Sequence, residues 1–361
     1  MILGIETSCD ETAAAVLAPD GEVRSNIVAS QKIHELYDGV VPEIASREHV
    51  QKMVPVLNQA LREADVDLGD VTGLAVTNGP GLVGALLVGL TTAKGIAVAR
   101  DLPLVGVNHL EGHALSPFLE DPSFEAPAVV LVASGGHTLL VHVKSLDELD
   151  VIGRTRDDAA GEAFDKVSVL LGLGYPGGAA LEKLAQGGDA KAFDFPRSWL
   201  EAGTLDFSFS GIKTAVRFTL DREPELADGP RRADVAASFQ AAVVEMLVRR
   251  TMEAVEKAGV SSVAVAGGVA ANGALRGALE AEAEKRRLRC VFPRLSYCGD
   301  NAAMIAYVGK RRLDRGERDD LRLDANPSLP LGVIPNRAKG KKVAPAKRAS
   351  RDDGRPRRPG A

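Results

Sequence analysis

The same succession of strands and glycine-rich turns occurs twice along this chain of 361 residues. Alternating apolar segments begin at Ile2 and again near Ala128, and each predicts a meander of antiparallel strands joined by polar turns. Later in each half, a buried strand leads into a glycine loop and a helix, at residues 73–100 and 262–285. Two such copies predict a mixed α/β protein in which two duplicated lobes face each other across a central cleft.

The repeat also predicts where the lobes divide. We place an N-terminal lobe at residues 1–108 and a C-terminal lobe at residues 109–330, with the final helix able to pack back on the first lobe. The interval from about 150 to 258 is mostly helical in pattern, and we expect it to be an insertion within the second lobe.

Composition narrows the class of protein. Hydrophobic residues make up 45% of the chain and charged residues 26%, which excludes disordered, collagen-like and coiled-coil proteins. The three cysteines are too few, and odd in number, for a disulfide framework, so a reducing cytoplasmic location is expected. Residues 1–6 contain an acid and no basic segment, so no signal peptide is predicted.

One apolar window could be mistaken for a membrane segment. Residues 71–93 form an uncharged run of 23 residues, long enough to span a bilayer. Residues 78–81 (Asn-Gly-Pro-Gly), however, predict a turn that divides the window into a short strand and the start of a glycine-rich helix. A strand–loop–helix unit explains the window better, and no membrane association is predicted.

Charge is distributed unevenly along the chain. Residues 337–361 carry ten lysines or arginines and two aspartates, a net charge of +8, whereas the whole chain carries −5. This tail has too little apolar surface to fold, so it is predicted to be a disordered basic extension. It is either an inert, solvated segment or a loose electrostatic tether to RNA or another polyanion.

Two glycine-rich loops follow predicted strands and could bind phosphate through backbone N–H groups. Residues 134–138 (Ser-Gly-Gly-His-Thr) join two strands, and residues 267–272 precede a helix. Neither loop matches the P-loop or GxGxxG pattern, so each alone indicates only a tight turn. Their equivalent positions in the two copies favour a nucleotide held between the lobes.

His109 and His113 are four residues apart, which places both imidazoles on one face of a helical turn, where they can chelate a divalent metal or simply form a hydrogen-bonded pair. The spacing resembles the HExxH peptidase motif. Glu111 lies one position too late for that motif, about 100° around the helix, so peptidase chemistry is weakly supported. Asp300, at the start of an apolar helix, is either the oxygen ligand or only an N-cap. Two histidines and a carboxylate suit Fe²⁺ or Zn²⁺.

Three further acids are candidates for catalysis. Asp165 lies on a predicted helix, where its charge could also be simply solvated. Asp10 and Glu11 lie in the first hairpin turn, where an acid could serve only to accept hydrogen bonds from turn amides. Spacing alone indicates no pairing of a nucleophile with a base.

Together these segments resemble one family, TsaD, the tRNA N6-adenosine threonylcarbamoyltransferases. The match runs in order through residues 1–335, and the basic tail lies outside it. The segments that carry it are 4–12 (GIETSCDET), 109–113 (HLEGH), 134–138 (SGGHT), 165–166 (DK), 175–178 (YPGG), 207–214 (FSFSGIKT), 267–272 (GGVAAN) and 299–306 (GDNAAMIA). This many motifs in the same order make the resemblance very specific.

The resemblance implies an actin-like, Hsp70-like ATPase fold and a group-transfer reaction. Threonylcarbamoyl-AMP gives its threonylcarbamoyl group to N6 of adenosine 37 in tRNAs that read codons beginning with A, and AMP is released. In two-lobed ATPases of this kind an acid in the first turn, here Asp10 or Glu11, acts on the metal and phosphate. The implied protein partners are an inactive paralogue of the TsaB type and a small ATPase of the TsaE type.

The resemblance also assigns site residues. It implies that His109, His113 and Asp300 hold one metal ion, usually given as iron. The residues implied to contact the adenylate are Val132, Ala133, Ser134, Gly135, Gly136, Asp165, Gly178, Glu182 and Asn272, of which Glu182 replaces an Asp of some relatives. Asp165 is expected either to bind the threonyl moiety or to accept the proton of the attacking amine.

Two other enzyme classes share parts of this pattern. A two-lobed small-molecule kinase would have the same fold, although no sugar-specific acid is evident in the sequence. A metallopeptidase would use the two histidines but depends on the misplaced Glu111. A non-catalytic scaffold is disfavoured because all three candidate metal ligands are present.

Overall fold

The computed structural model describes residues 1–198 and 203–332, which fold around two five-stranded β-sheets. The first sheet contains β1 (Ile2–Glu6), β2 (Glu11–Leu17), β3 (Val23–Ser30), β4 (Gly73–Gly79) and β5 (Leu104–Asn108). The second contains β6 (Ala128–Ala133), β7 (Thr138–Ser145), β8 (Glu148–Arg154), β9 (Ser262–Ala266) and β10 (Arg289–Val291). The predicted basic tail, residues 337–361, lies outside the described residues.

The two sheets have the same topology. The strand order is β3-β2-β1-β4-β5 in the first sheet and, read in the matching direction, β8-β7-β6-β9-β10 in the second. In each sheet three consecutive strands pair antiparallel, and the remaining two add in parallel on the other side. The duplication predicted from the sequence is therefore present in the folded chain.

Ten α-helices connect and cover the sheets within the described ranges. They are α1 (Pro42–Glu63), α2 (Val83–Arg100), α3 (His109–Glu120), α4 (Ala160–Leu170), α5 (Gly178–Ala185), α6 (Ser210–Arg222), α7 (Arg232–Ala258), α8 (Gly273–Arg286), α9 (Leu295–Cys298) and α10 (Ala302–Asp314). Helices α4 to α7 all lie between β8 and β9, in the interval whose sequence pattern is helical.

Helices α3 and α10 link the two sheets. Helix α10 packs against β1, β2 and β4 of the first sheet and also contacts α3, and α3 packs against β6 and β9 of the second. Apolar side chains between them form one continuous core, which includes Val105 of β5, Val130 of β6 and Ile305 of α10. Residues at the beginnings of these two helices are therefore held between the sheets.

The uncharged window folds into β4, a glycine turn and the first part of α2, as predicted. Judged by length and composition alone, α2 is the one helix of the described chain that could cross a membrane. It packs against α1 and β4, with Leu86, Leu90 and Ala93 buried. Packing within the fold thus accounts for a part of its apolar character.

Candidate functional site

Three side chains that can bind a metal meet between the two sheets. His109 and His113 lie at the beginning of α3, directly after β5, and Asp300 lies in the loop before α10. Their ligand atoms are all within 4.8 Å of one another. The Asp300 carboxylate lies 3.0 Å from Nε2 of His113 and 3.5 Å from Nε2 of His109. Two ring nitrogens and a carboxylate oxygen facing one point are a donor set that fits a divalent transition metal.

Local capping places these ligands. The Asn108 side chain accepts hydrogen bonds from two N–H groups of the first turn of α3, so the helix begins at His109. Asn301 is the N-cap of α10, because its side chain accepts a hydrogen bond from the Met304 N–H at 3.1 Å. The alternative reading of Asp300 as the cap is therefore wrong, and its carboxylate faces the histidines instead.

Glu111 takes no part in this group. Its carboxylate forms an ion pair with the guanidinium of Arg312 on α10, and both side chains are largely buried. In an HExxH peptidase the acid must face the metal-bound water. Glu111 does not meet that requirement, because it is paired with an arginine of another helix. The peptidase alternative therefore lacks a general base.

Glu6, at the end of β1, is a buried carboxylate that the sequence reasoning missed. Its Oε2 accepts hydrogen bonds from Thr77 Oγ1 at 2.6 Å and from Nδ1 of His109 at 3.0 Å. Its Oε1 accepts one from the Ser8 N–H at 2.5 Å. The imidazole of His109 thus has Glu6 at one nitrogen and Asp300 near the other.

The surrounding charges govern the protonation of these groups. Burial disfavours the imidazolium form of His109, but Asp300 and Glu6 outweigh burial and raise its pKa to about 9. Burial alone would raise the pKa of Asp300, yet His109 and His113 hold it well below its usual range. The pocket therefore keeps its carboxylates ionised and attracts positive charge, either a proton or a metal ion.

The turn between β1 and β2 faces the same group. Burial, and then the charges of Asp300 and Asp10, raise the pKa of Glu11 well above its usual value. The turn is supported from behind by α1, whose buried His49 donates a hydrogen bond from Nε2 to the Cys9 carbonyl oxygen at 2.9 Å. The predicted acids of the first turn are thus close to the predicted metal ligands.

The glycine loop at residues 134–136 meets the beginning of α4. The Gly161 N–H donates a hydrogen bond to the Ser134 carbonyl oxygen at 3.2 Å, and a Cβ at residue 161 would overlap that carbonyl group. Gly135 and Gly136 are exposed, and no atom lies within 4 Å of the positions that their Cβ atoms would take. This part of the loop is therefore open to a ligand.

The side chains at the end of β6, directly before this loop, are not accessible to a ligand. The side chains of Val132 and Ala133 are fully buried in the core, so only their backbone can contribute to a binding site. Gly267, which follows β9, has a φ of +87°, and a Cβ there would overlap the Ala133 carbonyl group. Glycine is required at this position because both the backbone conformation and the close approach exclude a side chain. The two predicted glycine loops therefore lie side by side.

Asp165 lies on α4, one helical turn after Gly161. Its Oδ1 accepts a hydrogen bond from the Gly177 N–H at 2.8 Å, and the Gly178 N–H is a second donor to the carboxylate. Burial, aided by the charge of Asp10, raises the pKa of Asp165 despite these hydrogen bonds. Burial, Asp10 and Asp165 likewise raise the pKa of Tyr175. The charges of Asp10, in the first turn, and Asp165, on α4, thus act on the same side chain.

Two further residues predicted to contact the adenylate, Glu182 and Asn272, form hydrogen bonds with neighbouring segments. Glu182, on α5, accepts a hydrogen bond from the Gly273 N–H at 2.7 Å. Asn272 is the N-cap of α8 and donates a hydrogen bond to Gln240 at 2.9 Å. The loop at residues 267–272 forms a short 3-10 turn, so α8 begins after this loop rather than within it.

His137 joins the two parts of the site. It follows the open glycine loop, and burial together with the charges of His109 and His113 lowers its pKa to about 4. The sequence reasoning missed Glu6, Tyr175 and His137 as site residues. Their only signal is membership of the motifs GIETSCDET, YPGG and SGGHT.

Solved structures share this fold at low sequence identity. HypF of T. kodakarensis aligns over 87% of this chain and 47% of its own, with a TM-score of 0.58 and 15% identity. Component A of the (R)-2-hydroxyglutaryl-CoA dehydratase of Acidaminococcus fermentans aligns over 87% of this chain and 98% of its own, with a TM-score of 0.53 and 16% identity. Both have the actin-like ATPase fold, which confirms the predicted two-lobed α/β class.

Other proteins are much more similar to this chain in amino-acid sequence. The tRNA N6-adenosine threonylcarbamoyltransferase of Symbiobacterium thermophilum is 54% identical over 334 residues, which cover 92% of this chain and 97% of the relative. The protein of the same name from Syntrophotalea carbinolica is 51% identical over 333 residues, with the same two coverages. A family model described as TsaD, tRNA N6-adenosine threonylcarbamoyltransferase, matches residues 22–307. The chain belongs to the TsaD family.

Proposed function

We propose that this protein transfers the threonylcarbamoyl group from threonylcarbamoyl-AMP to N6 of adenosine 37 in tRNAs that read codons beginning with A, and releases AMP. One observation carries the proposal: a group that can hold a metal lies near an open glycine loop in a TsaD-family chain. The metal-binding group suits the carbonyl or phosphate oxygens of the donor, and the loop suits its nucleotide.

His109, His113 and Asp300 are proposed to hold one Fe²⁺ ion, with Zn²⁺ as the alternative. Both ions accept imidazole and carboxylate ligands, so the donor set fits either metal. A divalent cation bound there would supply positive charge that stabilises negative charge on a carbonyl or phosphate oxygen. Elemental analysis of protein purified without added metal distinguishes the two ions.

The other site residues are proposed to bind and orient the two substrates. The backbone N–H groups of Gly135 and Gly136 hold the phosphate, and stay bound to AMP when the bond to the carbamoyl carbon breaks. The further residues that contact the adenylate in this proposal are Val132, Ala133, Ser134, Gly178, Glu182 and Asn272. Asp10 and Glu11 act from the first turn, beside the phosphate and the metal ligands.

Asp165 has two possible roles in this proposal. When the exocyclic amine of adenosine attacks the carbamoyl carbon, the amine must lose a proton, and a carboxylate with a raised pKa can accept it. The same carboxylate could instead bind the threonyl moiety. Both roles place Asp165 against the substrate.

The protein partners are proposed to be a TsaB-type paralogue and a TsaE-type ATPase. Helices α1 and α2 begin side by side, because Ser46 lies against Gly84. Their outer faces expose four large apolar side chains at helical spacing, Val50, Val54, Val83 and Leu87. Such a face is typical of a protein-binding surface and supports a partner of similar helical structure.

Incubation with threonylcarbamoyl-AMP and unmodified tRNA, followed by nucleoside analysis, tests the function. We expect threonylcarbamoyl-adenosine and AMP in equal amounts, with neither product formed when either substrate is omitted. Asp300→Asn should lower the yield at least about tenfold, because a charged metal ligand is lost. The matched control is Asp194→Asn, which changes a fully exposed aspartate.

Two further outcomes of this experiment would be informative. ATP consumption with a small acceptor and no dependence on tRNA would contradict it and favour the kinase alternative. A yield that appears only when TsaB-type and TsaE-type proteins are added would support the proposed partners.

A further inference from the structure

We infer that Glu6 is a positioning residue for the metal group: it holds the imidazole of His109 in the tautomer and orientation that present Nε2 to a metal ion. The inference rests on the proposed metal site and concerns a residue outside the ligand set. It starts from the contacts of the Glu6 carboxylate, which is fully buried at the end of β1.

The carboxylate of Glu6 is fixed on both oxygens. Oε1 accepts the Ser8 N–H at 2.5 Å, and Oε2 accepts the Thr77 hydroxyl at 2.6 Å. Oε2 also lies 3.0 Å from Nδ1 of His109. Because an ionised carboxylate can only accept hydrogen bonds, Nδ1 must carry the proton. The proton that the ring gives up to a metal ion is therefore the one on Nε2, which leaves a lone pair on the side of Asp300.

This arrangement is what metal-binding histidines ordinarily require. A ligating imidazole usually donates its second N–H to a carboxylate or carbonyl group, which fixes the ring and makes the ligating nitrogen more basic. Glu6 meets this requirement for His109. His113 differs, because its Nδ1 is buried without a hydrogen-bond partner in the described part of the chain. Of the two histidines, His109 is therefore the one whose ring is fixed by a carboxylate partner.

Glu6 also connects the metal group to the first sheet. It ends β1, and its partner Thr77 lies on the neighbouring parallel strand β4. His109 begins α3, which packs on the second sheet. The contact between Glu6 and His109 therefore sets the position of a metal ligand relative to the turn that carries Asp10.

Substitution of Glu6 by Gln tests the inference without a change in side-chain size. The Gln amide can donate to Nδ1, which lets the ring carry its proton on Nε2, the nitrogen that must face the metal. We expect the Glu6→Gln protein to bind Zn²⁺ about 10- to 100-fold more weakly than wild type, measured by competition with a chromophoric chelator. The matched control is Glu280→Gln on the exposed face of α8, which should bind Zn²⁺ like wild type.

A second measurement needs no variant. The chain has 6 histidines, so ¹⁵N-histidine NMR of the wild-type protein can resolve individual rings. We expect the His109 ring in the Zn²⁺-bound protein to show a protonated Nδ1 and an unprotonated, metal-bound Nε2. The opposite assignment would overturn the inference even if Glu6→Gln fails to fold.

The outcomes separate this inference from the proposed function. If the wild-type protein binds neither Zn²⁺ nor iron, the proposed metal site fails. If wild type and Glu6→Gln bind Zn²⁺ equally tightly, the metal site stands and the role of Glu6 is wrong. Weaker binding by Glu6→Gln with unchanged binding by Glu280→Gln supports the inference.

Discussion

Asp165 accepts hydrogen bonds from the backbone at Gly177 and Gly178 while burial raises its pKa. Asp165→Asn keeps an oxygen for these N–H groups but removes the charge and the ability to accept a proton. If Asp165 is the general base, kcat for transfer to tRNA should fall about 100- to 10,000-fold. If it only binds the threonyl moiety, KM for threonylcarbamoyl-AMP should rise instead. Steady-state AMP release over a range of both substrates measures the difference.

The control for this prediction is Glu280→Gln, which changes an exposed carboxylate of α8 far along the chain. It should leave both kcat and KM at wild-type values. Full transfer activity in Asp165→Ala at every substrate concentration would exclude both roles of Asp165.

At the residue scale, spacing explains what the sequence could predict of the site. His109 and His113 are predictable because four residues of helix place them on one face. Asp300 is predictable only as an acid at a helix start, and its ligand role depends on α10 packing beside α3. Glu6 and Tyr175 come from a strand end and a loop that tertiary structure brings together, so no short spacing encodes them.

At the element scale, the packing of α10 on the first sheet depends on Gly309. A Cβ at this buried position would overlap the side chain of Ala75 in β4. Gly309→Ala should therefore push α10 away from the sheet and destabilise the protein by about 1–3 kcal/mol, as overpacking does. Because Asp300 lies directly before α10, Zn²⁺ affinity should fall as well. Thermal unfolding and chelator competition measure the two effects.

Gly277 provides the matched control for Gly309. It lies within α8, it is exposed, and no atom lies within 4 Å of the position of an added Cβ. Gly277→Ala should stabilise the protein by up to about 1 kcal/mol, because alanine is the better helix former. Equal effects of the two substitutions would contradict a packing role for Gly309.

The beginning of α6 is held by a carboxylate from a distant part of the chain. Asp157 accepts hydrogen bonds from the hydroxyls of Ser208 and Ser210, at 2.5 and 2.7 Å, and from the Phe209 N–H at 2.7 Å. Burial opposes ionisation of Asp157, but these bonds lower its pKa below the usual value. A group whose pKa is lower in the folded protein than in the unfolded chain stabilises the folded protein when the pH is above the unfolded-state pKa. This stabilisation is lost as the pH falls through the folded-state pKa.

Asp157→Asn should therefore lower stability at pH 7 by about 1 kcal/mol, because the amide loses the charge and replaces one of the two accepting oxygens with a donor. The difference from wild type should begin to shrink below about pH 4, where Asp157 of the unfolded chain takes up a proton, and should be lost below the lower pKa of the folded state. Thermal unfolding midpoints from about pH 7 to pH 3 measure this. A difference that is constant over the whole range would show that charge plays no part.

Strand hairpins and helices were predictable because their signals are local. The alternation and polar turns of residues 2–30 predict β1 to β3, and the apolar segments at 129–133 and 139–143 predict β6 and β7 in the same way. The next strand, β8, ends at Arg154 and so overlaps the start of the interval from about 150 to 258 whose pattern is mostly helical. The parallel pairings of β1 with β4 and of β6 with β9 join segments far apart in sequence. Only the repetition of the whole pattern indicated that both halves would use the same order.

At the scale of the whole molecule, the site depends on the two sheets being held together. The core shared by β5, β6, α3 and α10 fixes this arrangement. The metal group lies at the start of α3 and before α10, and the open glycine loop follows β6. We therefore expect a ligand that reaches both places to depend on this core, because the core fixes the position of the metal group relative to the loop.

The basic tail contains none of the residues of the proposed site. With a net charge of +8, residues 337–361 should attract tRNA through its phosphates, without sequence preference. Each phosphate that the tail neutralises adds about 0.7 to 0.9 to the slope of log K against log salt. Deletion of residues 337–361 should therefore weaken tRNA binding at low salt, reduce this slope, and leave turnover at saturating tRNA nearly unchanged. Equal affinity and equal salt dependence of the truncated and full-length proteins would show that the tail is an inert extension.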